Sequence, residues 1–346
     1  MYYLFNSASL FKKNIMKNIL ITGGAGFIGS HACVALASAG YNPIILDNLV
    51  NSNVDVINRL CKIIGFLPIF IKGDIRNKLL LDDIFSKYNI YSVMHFAGLK
   101  AVGESVVNPL KYYDNNIIGT LNLLAAMKKA FIKNIIFSSS ATVYGDPISV
   151  PVKEDFLRTA INPYGRSKII IEDMLEDIHK SDSEWRIARL RYFNPVGAHK
   201  SGLIGEDPVG IPNNLMPYIA QVAIGKLKRL KVFGVDYPTI DGSGVRDYIH
   251  VMDLADGHVA ALNHLNINNE ILTVNLGTGY GVSVLQMIKV FKRVSGREIP
   301  YDIVARRQGD VAQYFADVNL AKNKLNWVSS RTIDDMCADT WRWINK

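Results

Sequence analysis

Short apolar runs alternate with helical periodicities through the first half of the chain, and this alternation predicts the fold. Six runs are each long enough for one buried strand: residues 18–22, 43–46, 67–72, 92–96, 134–138 and 185–191. Apolar residues at helical spacing occupy the stretches between them, at 27–36, 54–64, 79–87, 108–127 and 162–179. Regular alternation of strand and helix is typical of an α/β protein with a Rossmann-like, doubly wound parallel sheet.

After residue 192 the pattern becomes loop-rich, and this change predicts a second, smaller C-terminal lobe. Short elements are expected at 215–224, 231–233 and 282–294, whereas a helix at 251–265 and a strand at 272–276 indicate a return to the sheet. We therefore expect one domain of residues 16–192 with a return segment near 247–280. The remaining chain, residues 193–246 and 281–346 with the tail from residue 320, is expected to form the smaller lobe. Residues 1–15 are expected to be an appendage with no part in the fold.

A cluster of glycines follows the first predicted strand. Gly23, Gly24, Gly26 and Gly29 allow a tight turn, close approach of the backbone to a pyrophosphate, and close packing of helix on strand. The helix that follows directs its unpaired amides and the positive end of its dipole at the phosphates. Asp47 ends the second apolar run, where its carboxylate is placed to accept from both hydroxyls of an adenine ribose. Because this carboxylate would repel a 2′-phosphate, the pattern predicts NAD rather than NADP.

A tyrosine and a lysine four residues apart form the second chemical feature. Asn162 is suited to cap a helix and Pro163 to begin it, so Tyr164 and Lys168 are expected on one helical face. A free tyrosine has a pKa of about 10, and a fixed ammonium nearby favours the phenolate. Ser140 lies at a predicted strand end, where it would share a hydrogen bond with the tyrosine and a substrate hydroxyl. The pattern predicts proton transfer to and from a hydroxyl.

Composition excludes several other classes of function. The formal charge of +8 comes from scattered basic residues, the densest group being at 226–231, so no nucleic-acid stripe is predicted. No apolar run reaches the length of a membrane span. Three cysteines without ligand spacing predict no metal site and are typical of a reducing compartment, so a cytoplasmic location is expected.

Several long strings carry a resemblance that covers the chain from Met16 nearly to its end. Besides the glycine cluster and Tyr-x-x-x-Lys, they are SSSATVYG at 138–145, HFAGLKAVGES at 95–105, RYFNPVGA at 191–198, GIPNNLMP at 210–217 and GVRDYIH at 244–250. In these strings the chain resembles the UDP-glucose 4-epimerases of the extended short-chain dehydrogenase/reductase superfamily.

The resemblance implies roles for individual positions. Ser140, Tyr164 and Lys168 would be catalytic. The NAD site would comprise Gly23, Gly26, Phe27, Ile28, Gly29, Asp47, Asn48, Asn51, Ser52, Asp74, Ile75, Phe96, Ala97, Gly98, Lys100, Asn115, Ser138, Tyr164, Lys168, Tyr192 and Phe193. The UDP-sugar site would comprise Ser140, Tyr164, Asn194, Asn214, Leu215, Arg246, Arg307, Asp310 and Tyr314.

The resemblance also implies an activity, namely reversible epimerisation at C4 of UDP-glucose and UDP-galactose in galactose metabolism. It would proceed through a transient 4-keto sugar and enzyme-bound NADH, with tightly held NAD recycled in each turnover. Related enzymes pair through two long helices into a four-helix bundle, which implies a homodimer. A bulky residue at Tyr314 implies a preference for UDP-glucose and UDP-galactose over their N-acetyl counterparts.

Two other functions remain alternatives at the level of sequence. A nucleotide-sugar 4,6-dehydratase shares the first steps but needs an added acid and base, which that family supplies as an Asp-Glu pair beside its serine or threonine. Here Ala141 and Thr142 follow Ser140, and the next carboxylate is Asp146, which disfavours elimination. A catalytically silent NAD-sensing protein usually loses the tyrosine or the lysine, and both are present here.

Overall fold

The computed structural model describes residues 16–208, 210, 212, 214–307 and 310–346. The appendage expected at residues 1–15 lies outside these described residues. No helix among them combines the length and apolarity needed to cross a membrane.

A parallel sheet of seven strands forms the centre of the larger domain. Its strands, in the order they lie side by side, are Ile271–Leu276 (β11), Arg186–Tyr192 (β6), Asn134–Ser140 (β5), Ile90–His95 (β4), Asn18–Thr22 (β1), Asn42–Asp47 (β2) and Ile69–Lys72 (β3). The two halves of the sheet wind in opposite directions from β1 and β4. The predicted doubly wound parallel sheet is confirmed, and its carboxyl edge between β1 and β4 is the point where such folds bind ligands.

Helices cover both faces of this sheet because the middle strands are apolar on both sides. They are Phe27–Ser38 (α1), Asp55–Ile64 (α2), Lys78–Lys87 (α3), Val102–Val107 (α4), Pro109–Tyr112 (α5), Gly119–Lys129 (α6), Pro163–Ser181 (α7) and Val251–Ile267 (α9). One face packs Ile21, Leu190 and Leu262, and the opposite face packs Leu20, Phe137 and Leu175. The strand and helix predicted as a return segment are therefore β11 and α9.

Several predicted boundaries in this domain differ from the structure by one or two residues, and two of the differences concern segments that carry site residues. The single helix expected at 108–127 is divided by a π-helical segment, Tyr113–Ile118, between α5 and α6. Wider turns of this kind are often found at functional sites. The strand expected at 134–138 continues to Ser140, because Ser139 and Ser140 pair in register with Arg191 and Tyr192 of β6.

The smaller lobe has its own apolar core, built from Ile219, Val232 and Phe291. Its elements are Leu215–Ala223 (α8), Leu230–Phe233 (β8), Val284–Ser295 (α10), Tyr301–Val304 (β13) and Ile333–Ile344 (α12). Two small sheets join the smaller lobe to the larger domain. One consists of Asn194–Val196 (β7) and Tyr248–His250 (β10), and the other of Val282–Ser283 (β12), Val245–Arg246 (β9) and Gln313–Tyr314 (β14).

The tail from residue 320 belongs only in part to this lobe, which corrects the expectation from sequence. Helix Asn319–Leu325 (α11) packs on α9 and β11 of the larger domain. Its buried Ala321 and Leu325, followed by Trp327, join the apolar core of that domain. Helix α12 then packs on α8 and α10, as expected for the lobe.

Two leucines of α3 give a matched test of the packing on the sheet. Leu81 is fully buried, whereas Leu79 on the same helix is 81% exposed. We expect Leu81→Ala to lower the free energy of unfolding by about 2–5 kcal/mol, since it leaves a cavity beneath the sheet. The control Leu79→Ala should change it by less than about 0.5 kcal/mol. Denaturant unfolding measures both, and equal losses would contradict the assigned packing.

Candidate active site

The turn after β1 brings the glycine cluster against the neighbouring strand end. Gly23 has a φ of +71°, and a Cβ on it would lie 2.7 Å from the backbone nitrogen of Ala97. A Cβ on Gly29 would lie 2.3 Å from the carbonyl oxygen of Gly23. Gly26 is the N-cap of α1, and no side chain caps this helix. The first-turn amides of α1 are therefore directed at the crevice, as an anion site requires.

Asp47 is held rigidly beside this turn at the end of β2. Its Oδ2 accepts from the amide of Ala25 at 3.0 Å. Its Oδ1 accepts from the amide of Leu49 at 2.8 Å and from the hydroxyl of Ser52 at 3.0 Å. These bonds fix the carboxylate and occupy both lone-pair sites of Oδ1, so further donors would bind at Oδ2 or take the place of Ser52. Asn51 is exposed on the same loop.

Asp74 follows β3 and joins the same end of the sheet. Asn48 donates to its carboxylate at 2.9 Å, and Arg76 donates to both of its oxygens. The Arg76 guanidinium holds the pKa of this carboxyl well below its usual range. Ile75, next in the chain, is buried. Asn48 thus connects the loop that carries Asp47 to the segment that carries Asp74 and Ile75.

Helix α7 brings Tyr164 and Lys168 to the end of β5. Asn162 caps the helix by accepting from the amide of Gly165 at 2.8 Å. The Lys168 ammonium donates to the carbonyl of Ser138 at 2.7 Å and lies 5.8 Å from the centre of the Tyr164 ring. Ser140, two residues beyond Ser138, lies beside the Tyr164 side chain and acts to lower its pKa. The three expected catalytic side chains therefore lie together.

Burial sets the protonation behaviour of this group. It lowers the pKa of Lys168 to about 8, while the nearby Glu172 carboxylate acts in the opposite direction. Burial raises the pKa of Tyr164, and the nearby Ser140 offsets part of that rise. With a pKa of about 8, Lys168 remains mainly protonated at neutral pH and keeps its positive charge beside Tyr164.

Aromatic side chains line the crevice beside these residues. Phe96 and Tyr192 both pack on His258, with ring centres 4.7 and 5.8 Å apart respectively. The Tyr192 hydroxyl hydrogen-bonds to the Ser138 hydroxyl. Phe193, next along the chain, packs on Tyr314 with ring centres 5.3 Å apart. These contacts tie the ends of β4, β5 and β6 into one wall of the crevice.

The smaller lobe contributes charged groups on its three-stranded sheet. Arg246 in β9 lies opposite Tyr314 in β14. Its guanidinium donates to the carbonyls of Val245 and Val311 at 2.9 Å and lies 3.5 Å from Asp310. The Arg307 guanidinium stacks on Phe233, 3.8 Å from the ring centre. Two planar cations are therefore fixed on the lobe side of the crevice.

A carboxylate joins the two sides of the crevice. Glu206 accepts from Lys100 at 3.1 Å and from Asn214 at 3.2 Å. Lys100 follows β4, whereas Asn214 immediately precedes Leu215 and the start of α8. Asn194 begins β7 after the end of β6 and pairs with Tyr248 of β10. Glu206 therefore links the segment after β4 to the segment before α8.

Sequence reasoning missed several residues of this site. Thr142 donates to Ser140 from its amide at 3.2 Å and its hydroxyl at 2.9 Å. Asn116 accepts from Asn115 at 3.0 Å and bonds the backbone of Leu99 in both directions. A polar residue on the buried face of a helix is a signal for Asn116, but its π-helical setting is not visible in the pattern. Phe233 ends a predicted strand, and this position is a weaker signal for a site residue. No sequence pattern pointed to Glu206.

The comparisons with known proteins agree with this geometry. Residues 20–340 match the family model described as GDP-mannose 4,6 dehydratase. The chain is 56% identical to UDP-glucose 4-epimerase of Bacillus subtilis (strain 168) over 325 residues, covering 94% of this chain and 96% of that protein.

Two solved structures show the same similarity. One is UDP-glucose 4-epimerase from Stenotrophomonas maltophila with bound NAD and formylated UDP-arabinopyranose, with a TM-score of 0.94 and 50% identity. The other is UDP-glucose 4-epimerase from Bifidobacterium longum in complex with NAD+ and UDP, with a TM-score of 0.91 and 51% identity. Each similarity covers 95% of this chain and 98% of the other.

Two glycines with positive φ allow the energetic cost of left-handed backbone strain to be measured separately from the cost of crowding at the turn. Gly40 has a φ of +81° and open space at its Cβ position, whereas Gly23 is crowded by Ala97. We expect Gly40→Ala to lower the free energy of unfolding by about 1–2 kcal/mol through left-handed strain. Gly23→Ala should add about 1–3 kcal/mol to that loss, since the new methyl overpacks the turn. Denaturant unfolding compares them, and equal effects would refute the close approach.

Proposed function

The chain belongs to the UDP-glucose 4-epimerase family, and we propose that it interconverts UDP-glucose and UDP-galactose by epimerisation at C4. The observation that carries this proposal is the group formed by Ser140, Tyr164 and Lys168. Ser140 lies at the carboxyl end of β5, and Tyr164 and Lys168 lie in the first two turns of α7. Lys168 is fixed by its bond to the Ser138 carbonyl, and Ser140 lies beside the Tyr164 side chain. In the proposed complex this group would lie between the NAD held at the glycine turn and the nucleotide held by the two arginines of the smaller lobe.

The residues around the glycine turn fit NAD. The uncapped first turn of α1 suits a pyrophosphate. Asp47 suits the two ribose hydroxyls and disfavours the 2′-phosphate of NADP. When bound, NAD supplies the acceptor and donor of the hydride at the sugar C4. Because the overall reaction is redox-neutral, the cofactor is tightly held and recycled within each turnover.

Tyr164 moves the proton in this mechanism. Its phenolic oxygen takes the proton from the sugar 4-hydroxyl and later returns it to the same oxygen of the 4-keto sugar. Lys168, held at the Ser138 carbonyl, favours the phenolate through its positive charge. Ser140 orients the tyrosine and the sugar oxygen with its hydroxyl. Between the two proton transfers the 4-keto sugar turns about its bond to the diphosphate and presents its other face.

The smaller lobe holds the nucleotide while the sugar turns. Arg246 and Arg307 present planar guanidinium groups, which suit two linked phosphates. Arg246 is fixed by the carbonyls of Val245 and Val311, and Arg307 by its stacking on Phe233. Asn194, Asn214, Leu215 and Asp310 line the same side.

The alternatives weighed from the sequence are less well supported. A 4,6-dehydratase needs an acid and a base next to the serine, but Ala141 and Thr142 follow Ser140. The hydroxyl and amide of Thr142 are bonded to Ser140 itself, and neither group titrates near neutral pH. A silent NAD-sensing protein would not need the arrangement of Tyr164 and Lys168.

Tyr314 sets the size of the sugar that is accepted. Its hydroxyl donates to the carbonyl of Ala141 at 2.5 Å, and its ring packs on Phe193. These two contacts prevent the ring from retreating. In the family this position lies near the 2-substituent of the sugar, so an acetamido group would be crowded against Tyr314.

The protein forms a homodimer through the helices on one face of the larger domain. Four apolar side chains are exposed on neighbouring segments: Leu110 of α5, Ile118 of the π-helical segment, Leu121 of α6 and Ile170 of α7. Their exposed fractions run from 39% to 80%. An apolar face of this kind is typical of a surface covered by a second copy.

The cytoplasm is the compartment in which this enzyme works. Cys33 and Cys337 are free thiols buried in the cores of the two domains, and Cys61 is also free. Free thiols of this kind are usual in a reducing compartment. UDP-sugars and NAD would be supplied there.

Replacement of the tyrosine hydroxyl tests the proposed activity directly. We expect Tyr164→Phe to lower kcat by roughly 10²–10⁴-fold because no other atom is placed to take the proton. The measurement is conversion of UDP-galactose to UDP-glucose, together with the NAD released by denaturing the purified protein. NAD content and melting temperature should match the wild type. Tyr301→Phe, at an exposed tyrosine, is the control, and near-normal turnover by Tyr164→Phe would exclude this role.

The size of the residue at position 314 tests sugar selection. We expect the wild type to favour UDP-galactose over UDP-N-acetylgalactosamine in kcat/KM by about 5- to 150-fold, since overpacking costs about 1–3 kcal/mol. Tyr314→Cys should bring the two values closer together. Tyr280→Cys, at a tyrosine that is 77% exposed, is the matched control. Equal use of both sugars by the wild type would overturn the proposal.

A charge placed on the exposed helical face tests the dimer. We expect the wild type to sediment at twice the chain mass of 38.6 kDa and Leu121→Lys to sediment as the monomer, because the ammonium would be buried in the interface. Ile240→Lys, at an 84% exposed position of the smaller lobe, should leave the dimer intact. A monomeric wild type, or a dimeric Leu121→Lys protein, would count against this interface.

A further inference from the structure

A fully buried ion pair lies directly beside the catalytic group. Glu172 is one helical turn after Lys168 on α7 and is 0% exposed, and Arg191 of β6 is 4% exposed. Arg191 donates from Nε to Glu172 Oε1 at 2.9 Å and from Nη2 to Oε2 at 2.6 Å. The two side chains therefore form a two-pronged, desolvated pair between helix and sheet.

Stability alone gives a weak reason for such a pair. Desolvating two charges costs as much as their attraction returns, and well-packed apolar residues in the same place are often equally stable or more so. What the pair adds is directionality, because each of its oxygens and nitrogens fixes a neighbour in one geometry. The neighbours of this pair are the residues on both sides of Ser140.

The carboxylate holds the chain before Ser140. Glu172 Oε1 accepts from the hydroxyl of Ser139 at 2.5 Å. Ser139 stands between Ser138, whose carbonyl accepts from Lys168, and Ser140, which lies beside the Tyr164 side chain. A shift of Ser139 would therefore move the partner of the lysine and the partner of the tyrosine together.

The guanidinium holds the chain after Ser140. Arg191 Nη1 donates to the hydroxyl of Tyr144 at 3.0 Å and to the carbonyl of Glu154 at 2.9 Å. Tyr144 is the last residue of the short 3₁₀ helix Ala141–Tyr144, which follows Ser140. We propose that Glu172 is a positioning residue which, through Arg191 and Ser139, fixes Ser138 and Ser140 against Lys168 and Tyr164. This inference rests on the proposed function, since it assigns those residues their catalytic roles.

The charge of Glu172 has a second effect on the same group. The titratable and charged side chains around Lys168 and Tyr164 are Glu172, His95, Tyr112, Tyr192 and Arg191. Glu172 itself also has Arg158 at 3.4 Å and Arg189 nearby. Glu172 raises the pKa of Lys168 against the effect of burial. Without that negative charge the ammonium would be lost at lower pH. Tyr164 would then lose its cationic neighbour, so the acid limb of the pH profile of kcat should move to higher pH.

Two variants at the pair test the proposal. Glu172→Gln removes the charge and keeps the shape, and the double variant Glu172→Met with Arg191→Met replaces the pair by apolar side chains. We expect both to lower kcat about tenfold or more while KM stays within about twofold, since small displacements of reacting groups are costly. Glu172→Gln should in addition shift the acid limb upward.

Glu176→Gln is the matched control. Glu176 lies one turn further along α7 and pairs with Arg189 of β6 at 3.2 Å, so the variant makes the same charge change between the same two elements. Its kcat and pH profile should match the wild type. A similar loss in Glu176→Gln would show that any weakening between α7 and β6 lowers activity, and would overturn the specific role of Glu172.

Hydrogen exchange separates this proposal from the proposed activity. Backbone amides of residues 139–144 should exchange faster in both Glu172 variants and at the wild-type rate in Glu176→Gln, whether or not the wild type turns over UDP-galactose. An inactive wild type would refute the epimerase function, whereas unchanged exchange would refute the positioning role. If the double variant does not fold, Ser139→Ala decides, because it removes only the hydroxyl link. Wild-type kcat and exchange in a folded Ser139→Ala protein would overturn the inference.

Discussion

The register between β5 and β6 is the constraint on which the site depends. Their parallel pairing places Ser138, Ser139 and Ser140 beside Leu190, Arg191 and Tyr192. Side chains alternate along a strand, so a shift by one residue would exchange every inward and outward position. Tyr192 could not then reach the Ser138 hydroxyl, and Arg191 could not reach Glu172. The proposed proton transfer therefore depends on the pairing of β5 with β6 as well as on Tyr164 and Lys168.

Helix α7, which carries Tyr164 and Lys168, is fixed to its surroundings both before and after these two residues. Asn162 caps its first turn, and Glu172 attaches its third turn to Arg191. Tyr164 and Lys168 lie between these two attachments. The nucleotide side is built differently, since Arg246 and Arg307 are held by carbonyls and by an aromatic ring in the smaller lobe. The proposed proton site is thus held by a helix cap and a buried ion pair, whereas the proposed nucleotide contacts are anchored in the smaller lobe.

Sequence patterns predicted most of the larger domain because its strands are apolar on both faces and its glycine turn is dictated by sterics. Gly23 and Asp47 could be assigned for the same reason, since close approach and a strand-end carboxylate depend on local sequence. Glu206 and Phe233 could not, because their contacts join segments that are distant in the chain. The π-helical segment and the packing of α11 on β11 depend on tertiary contacts, which periodicity does not record. The roles assigned to the catalytic, NAD-binding and sugar-binding residues stay predictions.

The strand order has a consequence for how the protein is made. β11 pairs with β6 at one edge of the central sheet, yet 78 residues separate the end of β6 from the start of β11, and most of the lobe's first half lies among them. During synthesis the ribosome releases β6 well before β11, so β6 remains an open edge while that half of the lobe emerges. Open edges recruit other strands, and long-range pairings form slowly. The interval between these two strands is therefore a period in which the nascent chain exposes an unpaired strand edge that its own β11 later covers.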